Sequence, residues 1–443
     1  MNDSNRSMPM IALPERTETG NYFVSNYPPY SAWSPQQVPE FERALQSPHN
    51  RGPLSLYVHV PFCRQRCMYC YFRVHSRRPA AEVERYVDAL LAEASLYAQR
   101  PASVGRPVSN AYFGGGTPSL LTCAQIERLV AGLQALYPWR GASEVTFECQ
   151  PGTVDREKLE LLRASGVTRA SIGMQSLSDE VLRGIGRNAG TKDCLEAYQL
   201  ARRVGFDEVN IDLIAGLPGE EEATWNATLE KVAHLSPDSV TVYQLELTHN
   251  SVLLGALEKG LIQSLPSWSS KRQWVNTAFE RLEKAGYTIY GAYWAVRDAT
   301  RPRFAYVTEH YWKGHELLAL GESAFGLLQD FHYQNVDTYE EYLNRCAEGA
   351  LPLRRAYGMS SEERLRREFV LQLKTGCVDT QSLNRKFGID LQRLLQVPLQ
   401  RLFQEGFLTL APESVRLTRK GLLVVDWLLP EFYLPHHQRI RYT

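Results

Sequence analysis

LSLYVHVPFCRQRCMYCYF, residues 54 to 72, joins an apolar run to three closely spaced cysteines. Leu54 to Val60 has the length and apolar continuity of a strand buried on both faces, and Pro61 ends its ladder. Cys63, Cys67 and Cys70 follow in C-x3-C-x2-C spacing, so three thiols meet at the carboxyl end of one strand. Iron–sulfur clusters are held by Cys thiolates, and a [4Fe-4S] cube takes four ligands. Three from one loop leave one iron open to a group that is not protein. Zinc would draw on His59 or His75, but zinc loops usually come as C-x2-4-C pairs with a second pair farther along. Disulfides are disfavoured in a long, Cys-poor chain whose start lacks a secretory signature.

Outward from this loop, apolar strand patterns recur at 54 to 60, 109 to 113, 143 to 148, 168 to 172, 208 to 213 and 238 to 244. Helical periodicity fills the intervals, as in Ala81 to Gln99, Gln125 to Leu136 and Glu221 to Leu235. Six β-α units predict an α/β fold with a parallel sheet and right-handed crossovers. Beyond 246 the pattern predicts a helix over Ser269 to Ala285, a strand over Tyr287 to Tyr293 and an aromatic-rich stretch from Arg301 to Phe325. The last segment predicts helices over 362 to 374, 380 to 386 and 390 to 404. A hairpin between 407 and 417 makes it winged-helix-like. The expected divisions are an N-terminal extension with a lid-like aromatic strap (1 to 50), a barrel (51 to 300), a connecting, substrate-facing segment (301 to 359) and a C-terminal domain (360 to 443). Residues 1 to 19 read as disordered; GNYFVSNYPPYSAWSP (20 to 35) is too aromatic for a solvated tail.

The chain has 443 residues, 44% of them hydrophobic, with 49 basic and 49 acidic residues. A zero net charge leaves no basic field for nucleic acid, and the mixed charges of 380 to 404 do not form a recognition helix. No apolar run of about 18 residues predicts a membrane span. Without a leader, eight cysteines suit a reducing cytoplasm; Cys123, Cys149, Cys194, Cys346 and Cys377 read as packing residues.

The cysteine spacing, with an aromatic residue before Cys70, resembles the signature of radical S-adenosylmethionine (SAM) enzymes. YVHVPFCRQRCMYCYF is similar in particular to the coproporphyrinogen dehydrogenase-like (HemN-like) branch. YFGGGTPSLL (112 to 121), EVTFECQPGTV (144 to 154), RASIGMQSLSDEVLRGIGR (169 to 187) and NIDLIAGLPGE (210 to 220) recur there in the same order. The resemblance implies a partial (β/α)6 radical SAM barrel with a HemN-type C-terminal domain packed on it. It implies a [4Fe-4S] cluster on Cys63, Cys67 and Cys70 and one or two molecules of SAM. It also implies SAM contacts from Tyr57, Gly114, Gly115, Glu148, Gln175, Arg187 and Asp212, and a flavodoxin or ferredoxin-type reductant. Ser171 sits at the end of the fourth strand beside them.

Within the branch, coproporphyrinogen dehydrogenases usually carry a further Cys where this chain has Phe72. The heme chaperones instead have Phe at that position and carry a His-Asn-x-x-Tyr-Trp motif, where this chain reads Val307-Thr308-Glu309-His310-Tyr311-Trp312. Tyr27-Pro28-Pro29-Tyr30-Ser31-Ala32-Trp33 is similar to a segment of the class C radical SAM methyltransferases. On these departures the expected reaction is transfer of a methyl or methylene group to an sp2 carbon of a flat conjugated small molecule. Oxidative decarboxylation of coproporphyrinogen III is the alternative, followed by a heme chaperone. Tyr22, Tyr27, Tyr30, Trp33, Tyr306, Tyr311 and Trp312 are candidates for stacking on the substrate. Tyr306 and His310 are the candidate catalytic residues, and His315 is a further candidate base.

Overall fold

The computed structural model describes residues 13–20, 22–48, 52–300, 304–307, 310 and 314–438. The six expected strands form, as β1 (Leu54–Val60), β2 (Val108–Gly115), β3 (Glu144–Cys149), β4 (Arg169–Gln175), β5 (Glu208–Ala215) and β6 (Ser239–Gln244). They are parallel and adjacent in that order. Their main crossovers are α1 (Ala80–Ala98), α2 (Cys123–Leu136), α3 (Arg156–Ala164), α4 (Thr191–Val204) and α5 (Glu222–Leu235), with α6 (Trp268–Lys284) after β6. Every strand is buried almost throughout, as expected when helices cover a parallel sheet. Local chemistry sets the helix starts. At α2, Thr122 Oγ1 accepts from Gln125 N at 3.2 Å, and the Gln125 side chain accepts from Thr122 N at 2.9 Å, a capping box that occupies both free donors.

The strand expected over Tyr287 to Tyr293 is instead two short ones, β7 (Thr288–Ile289) and β8 (Trp294–Val296). Gly291, at φ +145°, turns the chain between them. On the other side of β1 the sheet gains four strands that the sequence reading did not contain: β9 (Glu316–Leu320), parallel to β1, then β10 (Phe325–Leu328), β11 (Phe331–Asn335) and β12 (Leu353–Gly358).

Residues 14 to 20 are laid along the body rather than free. Trp268 N donates to Glu15 O at 2.9 Å, and Gly20 N donates to Leu247 O at 2.7 Å. The aromatic strap then runs between the sheet and the C-terminal region. Tyr27 is fully buried, its hydroxyl 2.9 Å from His437 Nδ1, and the Trp33 ring lies flat on His332 at 4.9 Å. The C-terminal segment is built from α7 (Ser361–Lys374), α8 (Thr380–Phe387), four further short helices and a three-stranded sheet containing the 408–417 hairpin, so the winged-helix-like expectation is met. No helix among the described residues is long and apolar enough to cross a membrane.

One buried carboxyl ties α1 to the added strands. Glu93 accepts from Gly321 N (2.8 Å), Asn335 Nδ2 (2.6 Å) and Tyr342 Oη (2.7 Å). Burial pushes its pKa from about 4.5 to about 7, with those three donors pulling the other way. The folded pKa exceeds the unfolded one, so the native state holds the proton longer and stability falls as pH rises from about 4.5 to about 7. Glu93→Gln removes that titration. Its stability relative to wild type should rise by about 3 kcal/mol across the same window, measured as urea midpoints at pH 5 and pH 7.5. Parallel pH curves for the two proteins would contradict the burial argument.

Candidate active site

A cavity of about 410 Å³ opens at the carboxyl ends of β1 to β6, where strands in a barrel deliver their functional side chains. Cys63, Cys67 and Cys70 line one side of it. Their loop is held by backbone bonds: Met68 N donates to Ile185 O at 3.0 Å, and Met68 O accepts from Leu253 N at 2.8 Å. Arg66 Nη2 closes it, donating to Cys70 O (3.2 Å) and Asn250 O (2.7 Å).

The glycines after β2 make room for this loop. A Cβ on Gly116 would stand 2.8 to 2.9 Å from Phe62 O, Pro61 C and Val60 O, all backbone atoms of the approach to Cys63. Gly116→Ala should therefore displace the loop at a cost of roughly 1–3 kcal/mol and sharply lower the iron and sulfide retained per chain after reconstitution. Full loading would show that the approach can yield. Gly115, at φ +110°, adopts a conformation that favours glycine, and its N–H donates to Glu148 Oε2 at 3.2 Å.

Around the cavity stand Glu148, Ser171, Gln175, Arg187 and Asp212. Glu148 accepts from Tyr112 Oη at 2.7 Å, and burial pushes its pKa up to about 7. Asp212 accepts from Ser171 Oγ (3.0 Å) and Asn210 Nδ2 (2.9 Å), and burial raises its pKa too. Gln175 is turned into the cavity by a bulge at the end of β4, with φ +69°. Arg187 is buried, and its Nε has no hydrogen-bond partner among the described residues.

These groups fit a cluster and SAM. Burial pushes the Cys63 thiol to about 11 and the Cys70 thiol to about 12, so three thiolates side by side require a strongly positive centre such as iron. Two half-buried carboxyls suit a sulfonium and an amine, and the guanidinium of Arg187 suits a carboxylate.

The expected residues do not all gather here. Gly114 lies just behind the wall, where an added Cβ would meet Glu148 Oε1 at 3.0 Å. Tyr57 is one layer below, its hydroxyl 3.0 Å from His59 Nδ1. Tyr306 and His310 are elsewhere. Residues 304 to 307 run beneath the barrel, where Ala305 N donates to Glu144 Oε2 at 3.0 Å and Phe304 covers Arg169. Tyr306 packs on Tyr112 from below at 5.2 Å. His310 is buried between His315 O (3.0 Å) and Arg367 Nη2 (3.1 Å). Tyr311 and Trp312 lie outside the described residues.

Sequence reasoning did not single out Thr117, whose hydroxyl reaches Cys63 Sγ (3.3 Å) and Gln150 Oε1 (2.8 Å), although both partners fall within quoted motifs. Nor did it find Glu246, Trp268, Arg272 or Trp427 on the far wall; isolated residues of these types carry no spacing signal.

Strand order, cysteine loop and cavity together define a radical SAM enzyme, and comparison with known proteins agrees. A model of the Radical SAM superfamily matches residues 57–232, and one of the HemN C-terminal domain matches residues 359–424. An oxygen-independent coproporphyrinogen III oxidase from Salmonella typhimurium is 29% identical over 386 residues, 84% of each chain. The heme chaperone HemW of Bacillus subtilis is 28% identical over 84% of this chain and 96% of its own. The solved structure of coproporphyrinogen III oxidase (HemN) from Escherichia coli superposes with a TM-score of 0.81 at 27% identity, covering 93% of this chain and 96% of that one. The chain belongs to the coproporphyrinogen dehydrogenase-like (HemN-like) family of radical SAM enzymes.

These comparisons overturn the expectation of methyl or methylene transfer: the relatives that match along the chain are named as coproporphyrinogen oxidases or a heme chaperone. The structure supplies a physical reason. In the segment that suggested methyl transfer, Tyr27 and Trp33 are buried packing residues, and neither they nor Tyr30 line the cavity. They fasten the strap instead of facing a substrate.

Proposed function

We propose that this protein carries out oxygen-independent oxidative decarboxylation of propionate side chains on a reduced tetrapyrrole, with coproporphyrinogen III as the type substrate. The observation that supports this most is the likeness to the Escherichia coli oxidase over both barrel and C-terminal region, since the cavity is walled by both. Cys63, Cys67 and Cys70 would hold the cluster, with Glu148, Gln175, Arg187 and Asp212 around SAM and Tyr57, Gly114 and Gly115 shaping the pocket behind. Cluster and SAM together supply a radical able to abstract a hydrogen atom when an electron arrives from a flavodoxin or ferredoxin-type reductant.

The chain's residues do the rest. Arg187 orients a carboxylate, and Glu148 and Asp212 hold cationic groups. The strap and the C-terminal wall keep water from the reacting centre. Each propionate loses a hydrogen atom from the carbon next to the ring, then CO2 and one electron to an acceptor, and becomes a vinyl group. The test is anaerobic turnover with dithionite, SAM and coproporphyrinogen III. Formation of 5′-deoxyadenosine together with CO2 supports the proposal. Tight heme binding with no SAM cleavage would favour a chaperone instead, the reading that Phe72 in place of a fourth cysteine keeps open.

A further inference from the structure

The cavity has a second end, away from the cysteines. It is walled by Tyr22 of the strap, Glu246 just after β6, Trp268 and Arg272 of α6, and Trp427 near the C-terminus. The Tyr22 and Trp427 rings stack at 4.2 Å, with Trp268 edge-on to both at 5.7 and 6.2 Å. Three other charged groups close by are already committed. Lys271 Nζ donates to Leu245 O at 2.7 Å, and Lys374 Nζ pairs with Asp426 Oδ1 at 2.8 Å. Asp426 also accepts from Val24 N (2.8 Å) and from the hydroxyl of Tyr293.

Glu246 and Arg272 are different. Glu246 is held by backbone only, its Oε2 accepting from Tyr22 N at 3.1 Å, and no side chain among the described residues donates to it. Arg272 has a side chain 13% exposed. Its Nη2 donates to Pro14 O at 3.2 Å and stands 3.6 Å from Glu15 Oε1. Its Nη1 is buried with no partner among the described residues. An acceptor with spare lone pairs and a guanidinium with a spare donor thus share one aromatic-walled space, and a buried guanidinium nitrogen of this kind calls for a partner.

A ligand satisfying both must offer N–H donors and an anionic oxygen on a body that packs against aromatic rings. A reduced tetrapyrrole has inward-pointing pyrrole N–H groups and peripheral carboxylates. We infer that Glu246 accepts hydrogen bonds from the pyrrole N–H groups of the substrate and that Arg272 binds one of its peripheral carboxylates. The two are positioning residues for substrate and have no part in SAM cleavage. This inference rests on the tetrapyrrole reading above.

The test is anaerobic equilibrium binding of coproporphyrinogen III and of its tetramethyl ester to the reconstituted full chain, with iron content and thermal midpoint reporting folding. Wild type should prefer the free acid. Arg272→Gln should weaken the acid by about tenfold to a hundredfold, the worth of a charge-assisted hydrogen bond, and leave the ester unchanged. Arg272→Lys should restore part of the preference. Glu246→Leu should weaken acid and ester alike, because both keep their N–H groups, and Glu246→Gln should recover part of the loss. If Arg272→Gln weakens acid and ester equally, its role is structural and the inference fails. The inference also fails if acid binding is unchanged in Arg272→Gln or in Glu246→Leu. If wild type binds neither probe, the tetrapyrrole reading itself fails.

Discussion

Cys67→Ala is expected to abolish the cluster's visible absorbance, reduce bound iron to background and end SAM cleavage, while the chain stays folded. The three cysteines reach the cavity from one loop, and two remaining thiolates cannot hold a cube that already lacks a fourth protein ligand. Folding should survive because the loop is fixed by Met68, Arg66 and Asn250 rather than by the thiol. Cys67 is also only half-buried, so losing its sulfur should cost no more than about 1 kcal/mol. Anaerobic reconstitution followed by iron analysis and a 5′-deoxyadenosine assay checks both halves. Undiminished SAM cleavage would remove Cys67 from the ligand set.

Arg169→Met should have the opposite profile, with a large loss of stability and its cause at the other end of the barrel. Arg169 is 2% exposed, and its Nε donates to Glu208 Oε1 at 3.0 Å. Glu144 lies alongside, and Phe304 covers the guanidinium at 4.6 Å. Methionine fills the volume but leaves two buried carboxyls without their cation, which should cost about 3–5 kcal/mol. Burial already raises the pKa of Glu144, while Arg169 pulls it down. Without the arginine the carboxyl should rise further above its unfolded value, so the variant should lose stability as pH increases and recover part of it in mild acid. Chemical denaturation at pH 5.5 and pH 8 measures this. A loss below about 1 kcal/mol at pH 8 would mean that water or rearrangement satisfies Glu144 and Glu208.

The barrel was legible because fully buried parallel strands are written as apolar runs, and all six runs became strands within three residues of the expected ends. The hairpin between β10 and β11 was not. Its turn places Gln329 and Asp330 at φ +51° and +66°, a conformation usually signalled by Asn-Gly. Here Asp330 is instead fixed by a two-oxygen salt bridge from Arg364. The near wall of the site was legible for a related reason. Cys63, Cys67 and Cys70 are neighbours in sequence, Glu148, Gln175 and Asp212 sit in motifs at strand ends, and Arg187 closes the motif that begins with β4.

Tyr306 and His310 had suitable chemistry but the wrong destination, since their segment turns under the barrel instead of over it. The far wall could not be read locally. Glu246 and Trp427 are 181 positions apart and meet only because the C-terminal region folds back over the strand ends.

The source of the hydrogen atom that ends up in 5′-deoxyadenosine tests the proposed reaction most directly. Coproporphyrinogen III carrying deuterium on the propionate carbons next to the rings should be incubated anaerobically with the reconstituted protein, SAM and dithionite. 5′-Deoxyadenosine and the tetrapyrrole should then be analysed by mass spectrometry. The predicted result is deuterium in 5′-deoxyadenosine together with a vinyl-bearing tetrapyrrole that has lost CO2. Unlabelled 5′-deoxyadenosine with an unchanged tetrapyrrole would contradict it.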